Sequence, residues 1–161
     1  MSVAAEIAAR YDAARTDAAL VQVALFVEQV GVLAYDAAAA GPLSGADRAH
    51  AARFAGHERE HAAAFATMLL ALTVPVRSNA TPADVAELLP GLDRDPRRAL
   101  ELLAELEAAA IAGHQQLGRR LREPAILRTV GMVMAGAAQH LVVLRDALGR
   151  RPSTRSFETG A

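Results

Sequence analysis

The chain contains no cysteine and no tryptophan, and only 4% of its residues are aromatic. Without cysteine there can be no disulfide, no thiolate nucleophile and no cysteine-bound metal, so any metal must be held by histidine and carboxylate. An excess of either charge is also lacking. Seventeen basic residues face eighteen acidic ones, for a net charge of −1, so neither nucleic acid nor a strongly charged partner is expected. The apolar core of a signal peptide is missing from residues 1–17, where Glu6, Arg10, Asp12 and Arg15 intervene; a cytoplasmic location is therefore expected. One long apolar run exists, residues 20–40, but it carries Glu28, Gln29 and Asp36. Those residues would be costly at mid-bilayer, so the run reads as a buried helix and no membrane partner is expected.

What is present is helix-forming material. The length of 161 residues suits one domain with a proper core, and 53% of the residues are hydrophobic. Alanine and leucine dominate, and both favour helix. Residues 3–15 are expected as a short helical arm. Thr16 or Asp17 caps a helix running to about Ala40, which Gly41-Pro42 ends. Ser44 to Asp47 resembles a capping box that starts a second long helix, to about Leu72. Residues 73–95 hold Pro75, Pro82, Pro90 and Gly91 and read as a long crossover, with a small helix capped by Thr81. A third long helix is expected from Pro96 to Leu121, and a fourth from Pro124 to Gly149. The domain then spans residues 1–149, with 150–161 as a polar tail whose Phe157 could dock on a surface groove. Two hairpins with short turns, joined by one long connection, give an all-α four-helix bundle with a crossover.

The chain also repeats itself at an offset of 79 residues: Glu28 returns as Glu107, Tyr35 as His114 and His61 as His140. Glu58 and His61 form an E-x-x-H pair, which places both groups on one helix face. The counterpart of Glu58 is Ala137, so one carboxylate is missing. Each of these residues lies on its helix's apolar stripe, where a lone carboxylate is costly unless it is paired, neutralised or metal-bound. A Glu on each of two helices plus an E-x-x-H on each of the other two is the two-metal carboxylate pattern, and neutral imidazole with carboxylate suits iron, manganese or zinc.

The stretches LVQVALFVEQVGVLAYDAA, RFAGHEREHAAAFATML, LELLAELEAAAIAGHQQL and MAGAAQHLVVLRDAL resemble the ferritin-like domain proteins over all four helices. The resemblance implies a ferritin-like bundle in which Glu28 and Glu107 are terminal ligands, Glu58 a bridge, and His61 and His140 terminal nitrogen ligands. It further implies iron or manganese cofactors and chemistry with oxygen or peroxide. Ala137 departs from that pattern. Three carboxylates leave one positive charge on two divalent ions, which a bridging hydroxide could offset; alternatives are a single metal on Glu28, Glu58 and His61, or no metal. The runner-up reading is a metal-free scaffold or interaction module, homodimerising through an Ala-rich face. His57 to His61 also matches the H-E-x-x-H pattern of zinc metalloproteases, although no third downstream ligand motif follows and the repeat would go unexplained. On the bundle reading, His57 flanks the site or faces solvent, Tyr35 is a core tyrosine with a bonded hydroxyl, and Tyr35 and His114 lie toward opposite ends. Met132 and Met134 are expected as core fillers, and Arg119, Arg120 and Arg122 as cations that suit a helix C-terminus and need no partner there.

Overall fold

The computed structural model describes residues 2–76 and 80–151; Phe157 and the rest of the tail beyond residue 151 lie outside the described residues. Those described form six helices and no strand: α1 (Val3–Ala13), α2 (Asp17–Ala40), α3 (Gly45–Ala71), α4 (Pro82–Leu88), α5 (Pro96–Arg120) and α6 (Pro124–Ala147). The bundle is all-α, as expected. Helices α2 and α3 form one antiparallel hairpin and α5 and α6 the other, with α2 against α5 and α3 against α6.

Local chemistry starts and stops these helices. The Thr16 hydroxyl accepts from the Ala19 N–H at 3.1 Å and caps α2. Thr81 and Asp84 form a reciprocal capping box on α4, and Asp95 caps α5 through the Arg98 N–H. Ser44 corrects the expectation at the start of α3: it makes no side-chain cap bond. The Arg48 side chain is turned back instead, donating to the Leu43 carbonyl at 2.9 Å.

The described parts of the crossover are tied to the bundle on either side of residues 77–79. Gln22 donates to the Pro75 carbonyl at 3.0 Å, and Gln29 accepts from the Ala80 N–H at 3.2 Å. Val85, Leu88, Leu89 and Leu92 then bury their side chains in the core.

The two most apolar helices use their hydrophobicity differently. Both Asp17–Ala40 and Ile126–Ala147 are long and apolar enough to cross a membrane by length and composition, but 61% of the first window is buried in the bundle against 33% of the second. The apolar run of α2 is thus consumed by the core. Helix α6 turns Leu127, Met132 and Val142 outward, so Met132, 67% exposed, is not the core filler expected of it. Only Met134 of that pair packs on the core. Arg120 does more than close its helix, because α1 docks on α5 and offers it acceptors: its guanidinium donates to the Tyr11 and Ala14 carbonyls.

Candidate metal centre

Glu28 on α2, Glu58 and His61 on α3, Glu107 on α5 and His140 on α6 meet in the middle of the bundle. The three carboxylates and His140 are at most 5% exposed, and the His61 side chain is 16% exposed. Glu58 stands between two sets. Its Oε2 lies 3.6 Å from His61 Nδ1, and its Oε1 lies 3.1 Å from His140 Nδ1. His61 Nδ1 also meets Glu28 Oε2 at 3.0 Å, while His140 Nδ1 meets Glu107 Oε1 at 3.0 Å. Two ligand groups result, Glu28–Glu58–His61 and Glu58–Glu107–His140, each with its donor atoms within 4.8 Å of one another. The donors are all carboxylate oxygen and imidazole nitrogen, which fits iron, manganese or zinc in a coordination that each group leaves incomplete.

Small residues make this convergence possible. A Cβ on Gly31 would lie 3.1 Å from Glu58 Oε2, and one on Gly136 would lie 2.9 Å from the His61 ring. The carboxylate that joins the two groups therefore presses against the backbone of α2, and His61 against that of α6. Ala137, beside Gly136, is 3% exposed and offers no ligand atom.

The 79-residue repeat becomes a pseudo-two-fold pairing across the bundle. The Tyr35 hydroxyl of the first half donates to Glu107 of the second. His114, its counterpart, places Nε2 3.2 Å from Glu28 Oε1 of the first half. The two residues do lie at opposite ends, and each attends the lone Glu of the other half. His57 places Nδ1 2.9 Å from His140 Nε2; the His57 and His140 rings stack, and Phe54 stacks on His140. Its imidazole is thus engaged with His140, whereas His61 faces Glu28, so the two histidines of the H-E-x-x-H pattern serve different partners. No periodicity in the sequence signals the His57–His140 pair, because it depends on the spacing between α3 and α6.

Burial and mutual repulsion set the charges. Burial, reinforced by the charge of Glu58, holds the Glu28 carboxyl well above the usual range. The same two causes raise Glu107 to about 7. Burial also opposes ionisation of Glu58, but hydrogen bonds from His140 and His61 outweigh it and hold this carboxyl below the usual range. Burial likewise disfavours charge on His61 and His140, yet their carboxylate partners win and raise them to about 10 and about 9. For His114 burial wins: the charge of Glu58 opposes it too weakly, and the imidazole is lowered to about 4. The metal-free centre therefore holds protons on His61 and His140 at neutral pH, which a divalent cation would displace.

No curated protein and no solved structure matches the chain. Residues 16–150 match the family described as a ferritin-like domain, a span that takes in all four long helices and leaves α1 outside. With that match covering most of its length, the chain belongs to the ferritin-like domain family.

Proposed function

We propose that this protein binds two transition-metal ions, iron or manganese, between α2, α3, α5 and α6, and uses them in redox chemistry with dioxygen or hydrogen peroxide. One observation carries the reading: Glu58 faces a histidine Nδ1 on each side, so two ligand groups share one carboxylate. Glu28 and His61 would hold the ion at one end, and Glu107 and His140 the ion at the other. Bound iron or manganese supplies one-electron exchange with small oxygen species.

The chain's own residues orient and insulate that site. Tyr35 fixes the Glu107 carboxylate, and His57 engages the outer nitrogen of His140, leaving Nδ1 directed at the carboxylates. Phe54 and Phe65, stacked on His140 and His114, help to exclude bulk water. Protons leaving His61 and His140 offset the charge that enters with the metal. With no carboxylate at Ala137, three carboxylates would face two divalent ions, leaving a positive charge that would suit a small anion.

The test is elemental analysis after reconstitution with Fe(II) or Mn(II), using Glu58→Ala and His61→Ala as controls. About two equivalents, lost in the variants, support the proposal, and consumption of dioxygen or peroxide then tests the redox step. A centre that takes zinc but shows no turnover with iron or manganese overturns that step alone. No metal in the wild type leaves a metal-free scaffold.

The outward face of α6 favours one part of that second reading whichever way the metal test falls. Leu127, Met132 and Val142 are 41%, 67% and 42% exposed on it, an apolar face suited to a homodimer. A cytoplasmic location also belongs to this proposal, supported by the use of α2's apolar length in the core.

A further inference from the structure

The two ends of the centre differ in how their outer polar atoms are satisfied. At the Glu107 end, Tyr35 donates its hydroxyl to the carboxylate. At the Glu28 end the repeat puts an imidazole, His114, where the other end has a phenol. A second phenol is nevertheless present there. It is Tyr11, carried in by α1, which lies outside the segment matching the family.

Tyr11 is fully buried, and its ring meets the His114 ring edge-on at 6.4 Å. Its seat is built for it: a Cβ on Gly113 would collide with the Tyr11 ring. Arg120 holds the arm down through the Tyr11 and Ala14 carbonyls, and Gln116 holds it through Asp12. Yet the Tyr11 hydroxyl has no hydrogen-bond partner among the described residues. A buried hydroxyl without a partner is costly, and such atoms in native proteins ordinarily face a water, an ion or a ligand. Burial and the nearby charge of Glu28 hold this phenol well above its usual pKa, so it remains a donor. His114 Nε2, beside Glu28, is also without a hydrogen bond of good geometry. At this corner of the centre the Tyr11 hydroxyl is thus left without a partner among the described residues, and His114 Nε2 has only its poorly aligned contact with Glu28.

We infer that Tyr11 is a binding residue of the centre, and that its hydroxyl donates to a small hydrogen-bond-accepting ligand taken up at the Glu28–His114 end. The inference rests on the metal-binding reading and extends it to a helix outside the family segment. Azide is the probe, with the full chain loaded with Co(II) and binding followed in the visible spectrum. Tyr11→Phe keeps the ring in the Gly113 seat and removes only the hydroxyl. It is expected to load as much Co(II) as the wild type and to bind azide about tenfold more weakly, the worth of one hydrogen bond. The metal-free variant is expected to melt no lower than the wild type, because the lost hydroxyl has no partner among the described residues. Unchanged azide affinity at equal cobalt content overturns the inference and leaves the metal reading intact. A clear fall in metal-free melting temperature also overturns it, since the hydroxyl would then be bonded within the protein. A wild type that takes up no cobalt overturns the metal reading, and this inference with it.

Discussion

The Glu107 end of the centre is closed upon itself, whereas the Glu28 end is not. Glu107 receives both Tyr35 and His140, and the far nitrogen of His140 meets His57. Its histidine side chain is 2% exposed, against 16% for His61 at the other end. Glu28 has His61 on one oxygen, while His114 approaches the other without forming a proper hydrogen bond. A duplicated sequence has therefore produced one end fixed in advance and one end left adjustable. Groups locked by outer hydrogen bonds bind with less loss of freedom, so the closed end suits retention of a metal and the open end suits exchange of ligands.

The largest expected effect breaks both ends at once. Glu58→Ala removes the one carboxylate that faces both histidines, and metal content should fall to near zero. Glu28→Ala and Glu107→Ala should each remove about one equivalent, and elemental analysis distinguishes the cases. Loss of both metals from either terminal variant would show that the two ends are not separable.

The second prediction concerns pH, where the metal-free and metal-loaded forms should diverge. The folded chain holds protons on His61 up to about 10 and on His140 up to about 9, while an unfolded histidine releases its proton near 6.5. The native state thus binds more protons across that window, so the metal-free protein should lose stability as pH rises through it. Glu107, raised to about 7, acts in the same direction at the lower edge. Metal must displace those protons, so metal affinity should rise over the same window. Thermal melts with and without Mn(II), at several pH values, give both slopes; parallel curves would break the proposed exchange of protons for metal.

The sequence made the fold legible because its signals are local or periodic. Caps at Thr16, Thr81 and Asp95, prolines at the starts of helices and apolar stripes each report on one segment alone. The five candidate residues were found through the repeat, which registers two segments against each other without knowledge of the packing. Contacts that no local signal carries depend on which helices become neighbours. Arg120 finds its acceptors only because α1 lies on α5, and His57 reaches His140 only because α3 faces α6. Tyr11 has no counterpart at the 79-residue offset that carries a phenol, since that position is Pro90. Met132 lies on an apolar helix whose outer face the core does not cover, so composition alone misplaces it.

A third prediction restores the symmetry that the sequence has lost. Ala137→Glu puts a carboxylate at the position equivalent to Glu58, in a buried place next to Gly136, whose own Cβ would meet the His61 ring. In the metal-free protein the added volume and charge should cost about 1–3 kcal/mol. With metal bound the fourth carboxylate balances two divalent ions, so the gain in melting temperature on adding Mn(II) should exceed that of the wild type. A gain no larger than the wild type's would show that the side chain at 137 does not reach the centre.

The smallest effects compare two glycines on α6, one facing the centre and one facing away. A Cβ at Gly136 would meet His61 at 2.9 Å, whereas one at Gly131 would meet nothing within 4 Å. Gly131→Ala should stabilise the helix by about 0.5–1 kcal/mol, because alanine gives up less backbone freedom on folding. Gly136→Ala would bring the same propensity gain, but it pushes on the ring that pairs with Glu28 and Glu58. The ring must shift by a few tenths of an ångström, so the net change should be destabilising by up to about 1 kcal/mol. The two variants should therefore differ in sign in thermal melts, and only Gly136→Ala should weaken metal binding. If both stabilise equally, His61 has room to move, and the open character of the Glu28 end extends to the histidine as well as to its carboxylate.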